Sequence, residues 1–291
     1  MVVVCESRGN PEVSVAILTC NSERTLERCL KSVFRERPGQ ILAVDMNSTD
    51  RTLDILTCYG AEIVHNPSLS LGHSRQLAVS LARCSFLMFV DSDVTLTPGC
   101  ISMLTSELRR LGWACIHPSV LSSKNETYWQ RAEDAKFRLH FNRIGSTSSL
   151  GIGAALFRRE ILLRHPFDRN FAESCEDKDL FLRLSRAGQK FGVSYPVVYH
   201  EHRREFREFA EQRFRGGCGW SRLALKYKST GMLIDPLATM VPSSLLSVIQ
   251  GRIWLVPYWI VDGILRFTGC VWGSIVLSSK KDSPYLNLPS S

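Results

Sequence analysis

Two carboxylates, one residue apart, follow a short apolar segment near the first third of the chain. Residues 86–90 read Phe-Leu-Met-Phe-Val, and Asp91, Ser92 and Asp93 come directly after them. Such a run is typical of a strand buried on both faces of a parallel sheet. Ligands of open α/β sheets bind beyond the carboxyl ends of the strands, so both carboxylates are predicted at the mouth of a site. Two oxygen ligands this close suit Mg²⁺ or Mn²⁺, especially a metal that also holds phosphate.

The same residues also fit a solvated turn, because Asp and Ser are ordinary turn residues. The surrounding elements must distinguish the two interpretations. Apolar runs at residues 13–18, 41–44 and 61–65 predict three earlier strands, with helical periodicity between them. Strands alternating with helices of this length predict βαβ units and a mostly parallel sheet flanked by helices, which is an α/β fold.

Polar or acidic side chains end several of these predicted strands. Thr19 and Asn21 follow the first, and Asp45 ends the second. The carboxyl ends of parallel strands share one edge of a sheet, so these residues are expected beside Asp91 and Asp93. The sequence therefore favours a binding site over an isolated turn.

Composition predicts a packed globular body with an anionic partner. The 291 residues are 44% hydrophobic and 22% charged, with a net charge of +8. This charge suits a nucleotide, a nucleic acid or an anionic lipid surface as partner. Only the net charge supports nucleic-acid binding, so no nucleic-acid partner is expected. Ten cysteines without zinc-type spacing predict free thiols in a reducing compartment. Residues 1–6 lack the pattern of a secretory signal, so a cytoplasmic location is expected.

The C-terminal part differs in composition from the rest. Residues 253–277 are apolar and exceed the roughly 20 residues needed to span a bilayer. They also contain Pro257, Asp262 and Arg266, and each charge near mid-bilayer costs about 2.5–3.5 kcal/mol. Asp262 and Arg266 are four residues apart and could pair. We expect peripheral or monotopic attachment to the inner membrane face, as an interfacial helix or re-entrant hairpin; a buried core helix is the alternative.

Five short motifs, taken together, resemble glycosyltransferase family 2, whose members have the GT-A fold. They lie between residues 13 and 227 and read Val-Ala-Ile-Leu-Thr-Cys-Asn-Ser-Glu, Ala-Val-Asp-Met-Asn-Ser-Thr-Asp-Arg-Thr, Gly-His-Ser-Arg-Gln, Phe-Val-Asp-Ser-Asp and Cys-Glu-Asp-Lys-Asp-Leu. The resemblance implies an inverting transfer of a sugar from a nucleotide-diphosphate donor to a hydroxyl of a saccharide or lipid-linked acceptor. Together with the apolar composition of the C-terminal part, the resemblance predicts a GT-A domain at residues 1–232 and a membrane-associated helical tail at residues 233–291.

The resemblance assigns roles to the residues at the predicted strand ends. Met46 and Asn47 stand where the family often has Asp and Gly, which leaves the identity of the base open. Asp91 faces the ribose or the metal, and Asp93 binds a Mn²⁺ or Mg²⁺ that bridges the diphosphate. The remaining nucleotide-binding residues are Thr19, Asn21, Glu23, Asp45 and Arg75.

The pair Glu176-Asp177 matches the acidic catalytic motif of the family. One carboxylate must take the proton of the attacking hydroxyl; Asp177 is the preferred base and Glu176 the alternative. Acidic residues at a helix start also complement the helix dipole, which is a purely structural explanation. His200 or His202 could reach the metal, although a histidine without a catalytic role is the commoner outcome.

An acceptor-side motif shows a departure from the family. Gln212 to Arg215 resemble part of the Gln-x-x-Arg-Trp motif of processive synthases, and Gln212 and Arg215 are candidates for the acceptor side. Gly216 stands where the Trp would be, so addition of a single sugar is expected. The nearest similarity is to transferases of the exopolysaccharide type, which extend lipid-linked acceptors.

Two other classes of protein compete with this interpretation. Asp91-Ser92-Asp93-Val94-Thr95 fits the Asp-x-Asp-x-Thr motif of haloacid dehalogenase-like phosphatases, with Asp91 as nucleophile and Asp93 as acid. That motif normally ends the first strand of its domain, whereas three predicted strands precede it here. A non-catalytic membrane-peripheral scaffold is the second alternative, and the presence of Asp93 and Asp177 argues against it.

Overall fold

The computed structural model describes residues 9–149 and 151–279. The expectation drawn from residues 1–6 and the last part of the predicted tail, residues 280–291, lie outside this range. The described cysteines are free thiols, as predicted, and Cys29 and Cys115 are among those that are buried.

The first part of the chain forms a parallel βαβ unit repeated along one sheet. Its elements are β1 (Asn10–Thr19), α1 (Glu23–Arg35), β2 (Pro38–Asp45), α2 (Thr52–Tyr59), β3 (Glu62–His65), α3 (Leu71–Leu81) and β4 (Phe86–Asp91). Strands β3, β2, β1 and β4 lie side by side in this order and pair in parallel, as the alternating pattern predicts. Apolar residues bury β4 on both faces, and β1 is buried over nearly its whole length.

The second part completes the sheet with antiparallel pairs. Its elements are β5 (Val94–Leu96), α4 (Cys100–Leu111), β6 (Cys115–Ser122), α5 (Tyr128–His140), β7 (Gly145–Ser146), β8 (Ala154–Arg158), α6 (Arg159–Arg164), α7 (Glu176–Arg186) and β9 (Phe191–His200). Strand β8 lies antiparallel to β4, and the sheet continues through β6 and β9 to β5, with β7 also paired to β9. The sheet is therefore parallel on one side of β4 and mixed on the other.

Three long helices follow the sheet: α8 (Phe206–Tyr227), α9 (Gly231–Ile249) and α10 (Val256–Ser279). The backbones of α8 and α10 nearly touch. A Cβ atom on Gly217 would lie 2.0 Å from the carbonyl oxygen of Arg266, and one on Gly269 would lie 2.1 Å from that of Phe214. Only glycine permits such an approach, so α10 packs directly against the backbone of α8.

A buried ionic network ties α10 to α8 and α5. The Arg213 guanidinium contacts the Glu133 carboxylate, and its Nε lies 2.8 Å from Oδ1 of Asp262. Oδ2 of Asp262 lies 3.0 Å from Nε of Arg266, which is the pairing expected from their spacing. Removing one partner from a buried pair costs about 3–5 kcal/mol, so this network holds the last helix against the sheet domain.

Candidate active site

The ends of β1, β2 and β4 place three predicted site residues in adjacent strands. Thr19 pairs in register with Asp45, and Leu18 pairs with Asp91. The parallel arrangement brings Thr19, Asp45 and Asp91 to one edge of the sheet, as expected from the sequence. This edge is the mouth at which α/β sheets bind ligands.

Asp45 is buried and holds the loop that follows β2. Its Oδ1 accepts hydrogen bonds from Oγ1 of Thr19 at 2.9 Å and from Oγ of Ser48 at 2.6 Å, and its Oδ2 accepts from the backbone N–H of Ser48 at 3.0 Å. Ser48 was not among the predicted site residues. Three donors on one carboxylate fix both strand ends and give this edge a defined shape.

Two exposed residues fasten the loop after β1 to the loop after β2. Oδ1 of Asn21 accepts from the backbone N–H of Thr49 at 2.8 Å, and Oε2 of Glu23 accepts from the N–H of Arg51 at 3.0 Å. Asn21 adopts a left-handed conformation with φ of 48°. Both residues lie at the predicted edge, where they shape the loops around it.

Asp93 and His200 face each other beside Asp91. Nε2 of His200 lies 3.2 Å from Oδ1 of Asp93, because β5 pairs with β9 and Val94 opposes His200. Burial would raise the pKa of Asp93, but the neighbouring His200 outweighs it and the pKa is lowered to about 2. The ring of His202 instead stacks on Phe137, and burial lowers its pKa to about 3. His200 is therefore the histidine that faces the carboxylate pair.

The donor set fits a divalent metal that is shared with phosphate. Oδ1 of Asp93 is buried without a hydrogen bond of good geometry, and the Asp91 side chain is 38% exposed toward the mouth. Within residues 9–149 and 151–279, no three acidic, His or Cys side chains converge as a complete cage. Mg²⁺ is commonly held by one or two carboxylates together with substrate phosphates, and the two aspartates match that pattern.

Gly153 fits closely against the Asp-Ser-Asp segment. Its carbonyl oxygen accepts from the backbone N–H of Asp91 at 2.8 Å, and a Cβ atom on it would lie 2.9 Å from Oδ2 of Asp91. Gly153 was not among the predicted site residues. A larger residue at this position would displace the carboxylate of Asp91.

Arg75 connects the carboxylates of β4 with the acidic motif of α7. Its Nε donates to Oε1 of Glu176 at 2.9 Å, and its Nη2 reaches Oδ1 of Asp91 at 3.5 Å. Arg75 is buried, its guanidinium lies 5.2 Å from the centre of the Phe89 ring, and Nη1 has no hydrogen-bond partner among the described residues. The contact brings together two motifs that are far apart in the sequence.

Asp177 is the carboxylate of the α7 motif that stays available. Glu176 is paired with Arg75, whereas the only hydrogen bond described for the Asp177 side chain comes from the N–H of Lys178, at 2.6 Å. Burial and the charge of Glu176 raise the pKa of Asp177 to about 7, against the opposing effect of Arg75. A carboxylate with such a pKa is suited to accept a proton near neutral pH.

The two acceptor-side candidates lie on the exposed surface of α8. Gln212 and Arg215 are both exposed, and the Arg215 carbonyl oxygen accepts from Oγ of Ser174, just before α7, at 3.1 Å. Burial and Asp45 raise the pKa of the Cys20 thiol, and the charge of Arg215 opposes that rise. The charge of Arg215 therefore acts on the residue that follows β1. The Gln212 side chain makes no hydrogen bond within the described part of the chain.

Comparison with known proteins supports the fold and the family. Residues 14–165 match the family described as Glycosyl transferase family 2. An uncharacterized protein of Mycobacterium tuberculosis is 26% identical over 284 residues, covering 89% of this chain and 85% of the relative. The glycosyltransferase EpsH of Bacillus subtilis is 29% identical over 102 residues, which are 32% of this chain and 30% of the relative.

Solved structures with low sequence identity share the fold. Residues 1–349 of S. aureus TarS match with a TM-score of 0.53 and 14% identity, covering 93% of this chain and 92% of that one. The chain spans 43% of a longer TarS structure. Glucosyl-3-phosphoglycerate synthase of Mycobacterium tuberculosis matches with a TM-score of 0.53 and 20% identity, covering 72% of this chain and 79% of that one.

The comparisons decide between the classes that the sequence left open. The matched region contains Asp91 and Asp93 together with the three strands that precede them, and it includes more than half of the chain. The comparisons do not favour the phosphatase alternative, and they confirm the expected GT-A fold. The chain belongs to glycosyl transferase family 2 and is a glycosyltransferase of the kind that uses nucleotide sugars.

Proposed function

We propose that the protein transfers one sugar, with inversion, from a nucleotide-diphosphate donor to a hydroxyl of a lipid-linked saccharide. The observation that carries this proposal is the contact of Arg75 with both Asp91 and Glu176. This contact joins the nucleotide side of the site to the helix that carries the base. TarS has been crystallised with UDP and UDP-GlcNAc, which supports a nucleotide-sugar donor of this kind.

Asp177 accepts the proton in the proposed reaction. The acceptor hydroxyl oxygen forms a bond to the anomeric carbon while the bond from that carbon to the diphosphate oxygen breaks. The proton moves from the hydroxyl to a carboxylate oxygen of Asp177, and the nucleoside diphosphate leaves with the bonding electrons. Attack from the face opposite the leaving group inverts the anomeric configuration, and the ion pair with Arg75 holds Glu176 in place beside the base.

Asp93, with Asp91 and His200 beside it, would hold a divalent metal at the diphosphate. Such a metal would act as a Lewis acid that neutralises the charge of the leaving group. Glucosyl-3-phosphoglycerate synthase has been crystallised with Mg²⁺ and UDP and with Mn²⁺ and UDP, which supports either ion. Thr19, Asn21, Glu23 and Asp45 would shape the nucleotide pocket. Gln212 and Arg215 would lie on the acceptor side.

The C-terminal helices would attach the enzyme to a membrane surface. Helix α9 and residues 253–277 are each long and apolar enough to cross a membrane by length and composition. Large apolar side chains are exposed on both, including Ile249 at 72% and Ile275 at 58%. Asp262 and Arg266 point into the ionic network with α8 instead of outward. An interfacial position on the cytoplasmic side therefore fits better than a clean span, and residues 233–291 would form the membrane-docking part.

A donor panel tests the proposed function. The full-length protein is incubated with nucleotide sugars, Mn²⁺ and a lipid-linked saccharide, and release of nucleoside diphosphate and the anomeric configuration of the product are measured. We expect metal-dependent release with one donor and an inverted product. A retained configuration would contradict the mechanism, and cleavage of a phosphomonoester without donor use would favour the phosphatase.

A further inference from the structure

A cavity of about 270 Å³ lies between the acidic motif and the C-terminal helices. Lys178, the residue after Asp177, lines it together with Trp220 of α8, Lys136 of α5 and Arg266 of α10. Pockets that enclose a complete drug-sized ligand measure about 300–1,000 Å³. The size therefore suits a single headgroup, and it is too small for a whole nucleotide sugar.

The cavity carries cations that are not fully neutralised. Within the described part of the chain the Lys178 ammonium makes no ion pair at contact distance; it lies 5.5 Å from the centre of the Phe181 ring and 5.7 Å from that of Trp220. Its charge acts on the adjacent Asp177, whose pKa it lowers. Nε of Arg266 lies 3.0 Å from Asp262 but lacks hydrogen-bond geometry. Burial is the largest cause that lowers the pKa of Lys136 to about 8; the charge of Arg213 adds to it, and Glu133 and Asp262 oppose it.

Two carboxylates also face this space. Asp262 is shared between Arg213 and Arg266, and Asp235 lines the cavity from α9. Nζ of Lys136 lies 3.6 Å from Oε2 of Glu133. Among the lining cations of the described chain, Lys178 therefore makes no contact ion pair with a carboxylate, and an anionic ligand could bind to its ammonium group.

Helix α9 separates the cavity from an apolar surface. Asp235, Thr239 and Ser243, spaced four residues apart, face the cavity. Ile234 and Leu245 lie on another side of the same helix and are 58% and 59% exposed. A ligand with an anionic head and an apolar chain could therefore place its head in the cavity and its chain along the helices.

We propose that this cavity binds the phosphate of a lipid-phosphate acceptor, so that a hydroxyl of the attached sugar reaches Asp177. The assignment rests on the proposed function for the role of Asp177. The cations hold the phosphate, and Trp220 offers an aromatic face to the sugar. The apolar surface of α9 and α10 receives the lipid.

Binding of dodecyl phosphate to the full-length protein, measured by calorimetry below the micellar concentration, tests the proposal. We expect Lys178→Gln and Arg266→Gln to raise the dissociation constant at least tenfold. Lys190→Gln is the matched control, since Lys190 precedes β9 at the end opposite His200. Arg266→Gln removes one of the two ion-pair partners of Asp262 and can therefore disturb folding. Lys178 lies outside this ionic network, so the result for Lys178→Gln decides the test.

Two further ligands separate the alternatives. Inorganic phosphate should bind much more weakly than dodecyl phosphate; equal binding would overturn the lipid assignment. Dodecyl maltoside should not compete, and equal competition would overturn the phosphate assignment. Unchanged binding in Lys178→Gln would overturn the site itself. Nucleoside diphosphate binding with Mn²⁺ is measured in parallel, and its absence in the unmodified protein would contradict the proposed function without affecting the dodecyl phosphate result.

Discussion

The Nε atom of Arg75 donates a hydrogen bond to Oε1 of Glu176 at 2.9 Å, and both side chains are about 5% exposed. The pair lies where the end of β4 meets the start of α7. Since Nη2 of the same arginine reaches Asp91, one guanidinium orients carboxylates from both halves of the site. A planar guanidinium can hold two such partners at once, which an ammonium cannot do in the same geometry.

Replacement of Arg75 should therefore damage both stability and transfer. Arg75→Met leaves the Glu176 carboxylate buried without its partner, and loss of about 3–5 kcal/mol in the free energy of unfolding is expected. Arg83→Met is the control, because Arg83 pairs with Glu62 at the surface and should change stability by about 0–1 kcal/mol. Urea denaturation measures both. Equal effects of the two substitutions would argue against a buried pair.

Asp177→Asn tests the assignment of the base. The amide has the size of the carboxylate but cannot accept the proton, so kcat should fall about 10²–10⁴-fold. Binding of the nucleotide with Mn²⁺ should persist, because Asp177 is not among the residues proposed to bind the metal and the nucleotide. Most of those residues lie at the ends of β1, β2 and β4. Glu160→Gln on α6, an exposed carboxylate, is the control and should leave kcat unchanged. A fully active Asp177→Asn enzyme would exclude Asp177 as the base.

The pKa of Asp177 predicts the pH dependence of transfer and of stability. At a pKa of about 7, the base is ionised only above neutrality, so the rate should rise as the pH passes through 7. The same pKa is higher than in the unfolded chain, so the folded state loses stability as the pH rises from about 4 through 7. Asp177→Asn should remove this slope in thermal melts between those values. A rate that is flat between pH 6 and 8 would contradict the assignment.

Asp93→Ala should abolish nucleotide binding that depends on Mn²⁺. Asp93 contributes a buried oxygen without a well-formed hydrogen bond, so this oxygen is available to bind the metal. Equilibrium dialysis with labelled nucleotide and Mn²⁺ measures the effect, and addition of EDTA to the unmodified protein should reproduce it. Glu160→Ala again serves as the control. Binding that survives both the substitution and EDTA would show that the nucleotide is held without metal.

Membrane attachment is best tested on the exposed apolar side of α10. Ile264→Glu combined with Ile275→Glu should release the protein from anionic vesicles in a flotation assay, since both side chains are about half exposed. Leu163→Glu on α6, which is exposed to a similar degree, should have no effect. Unchanged flotation would place the contact elsewhere. Deleting the helices is a poorer test, because it removes Asp262 from Arg213 and destabilises the rest of the fold.

Local patterns were sufficient to predict the parallel part of the sheet and the residues at its edge. An apolar run such as residues 86–90 favours burial through its own composition. The polar residue that follows it lies at the edge of the sheet because the strand ends there. The family resemblance added roles to Asp45, Asp93 and Asp177. These inferences use neighbouring residues, so they need no knowledge of distant contacts.

Contacts between distant segments depended on the complete fold. No local pattern shows that β8 inserts antiparallel beside β4, that Arg75 meets Glu176, or that Arg213 reaches Asp262. The sequence indicated a pairing of Asp262 with Arg266 because these residues are one helical turn apart, but it could not indicate the arginine from another helix. Burial in the complete fold is the largest cause that raises the pKa of Asp177, the charge of the adjacent Glu176 adds to it, and Arg75 opposes it. The sequence could not show this burial, which supports the prediction that Asp177 is the base.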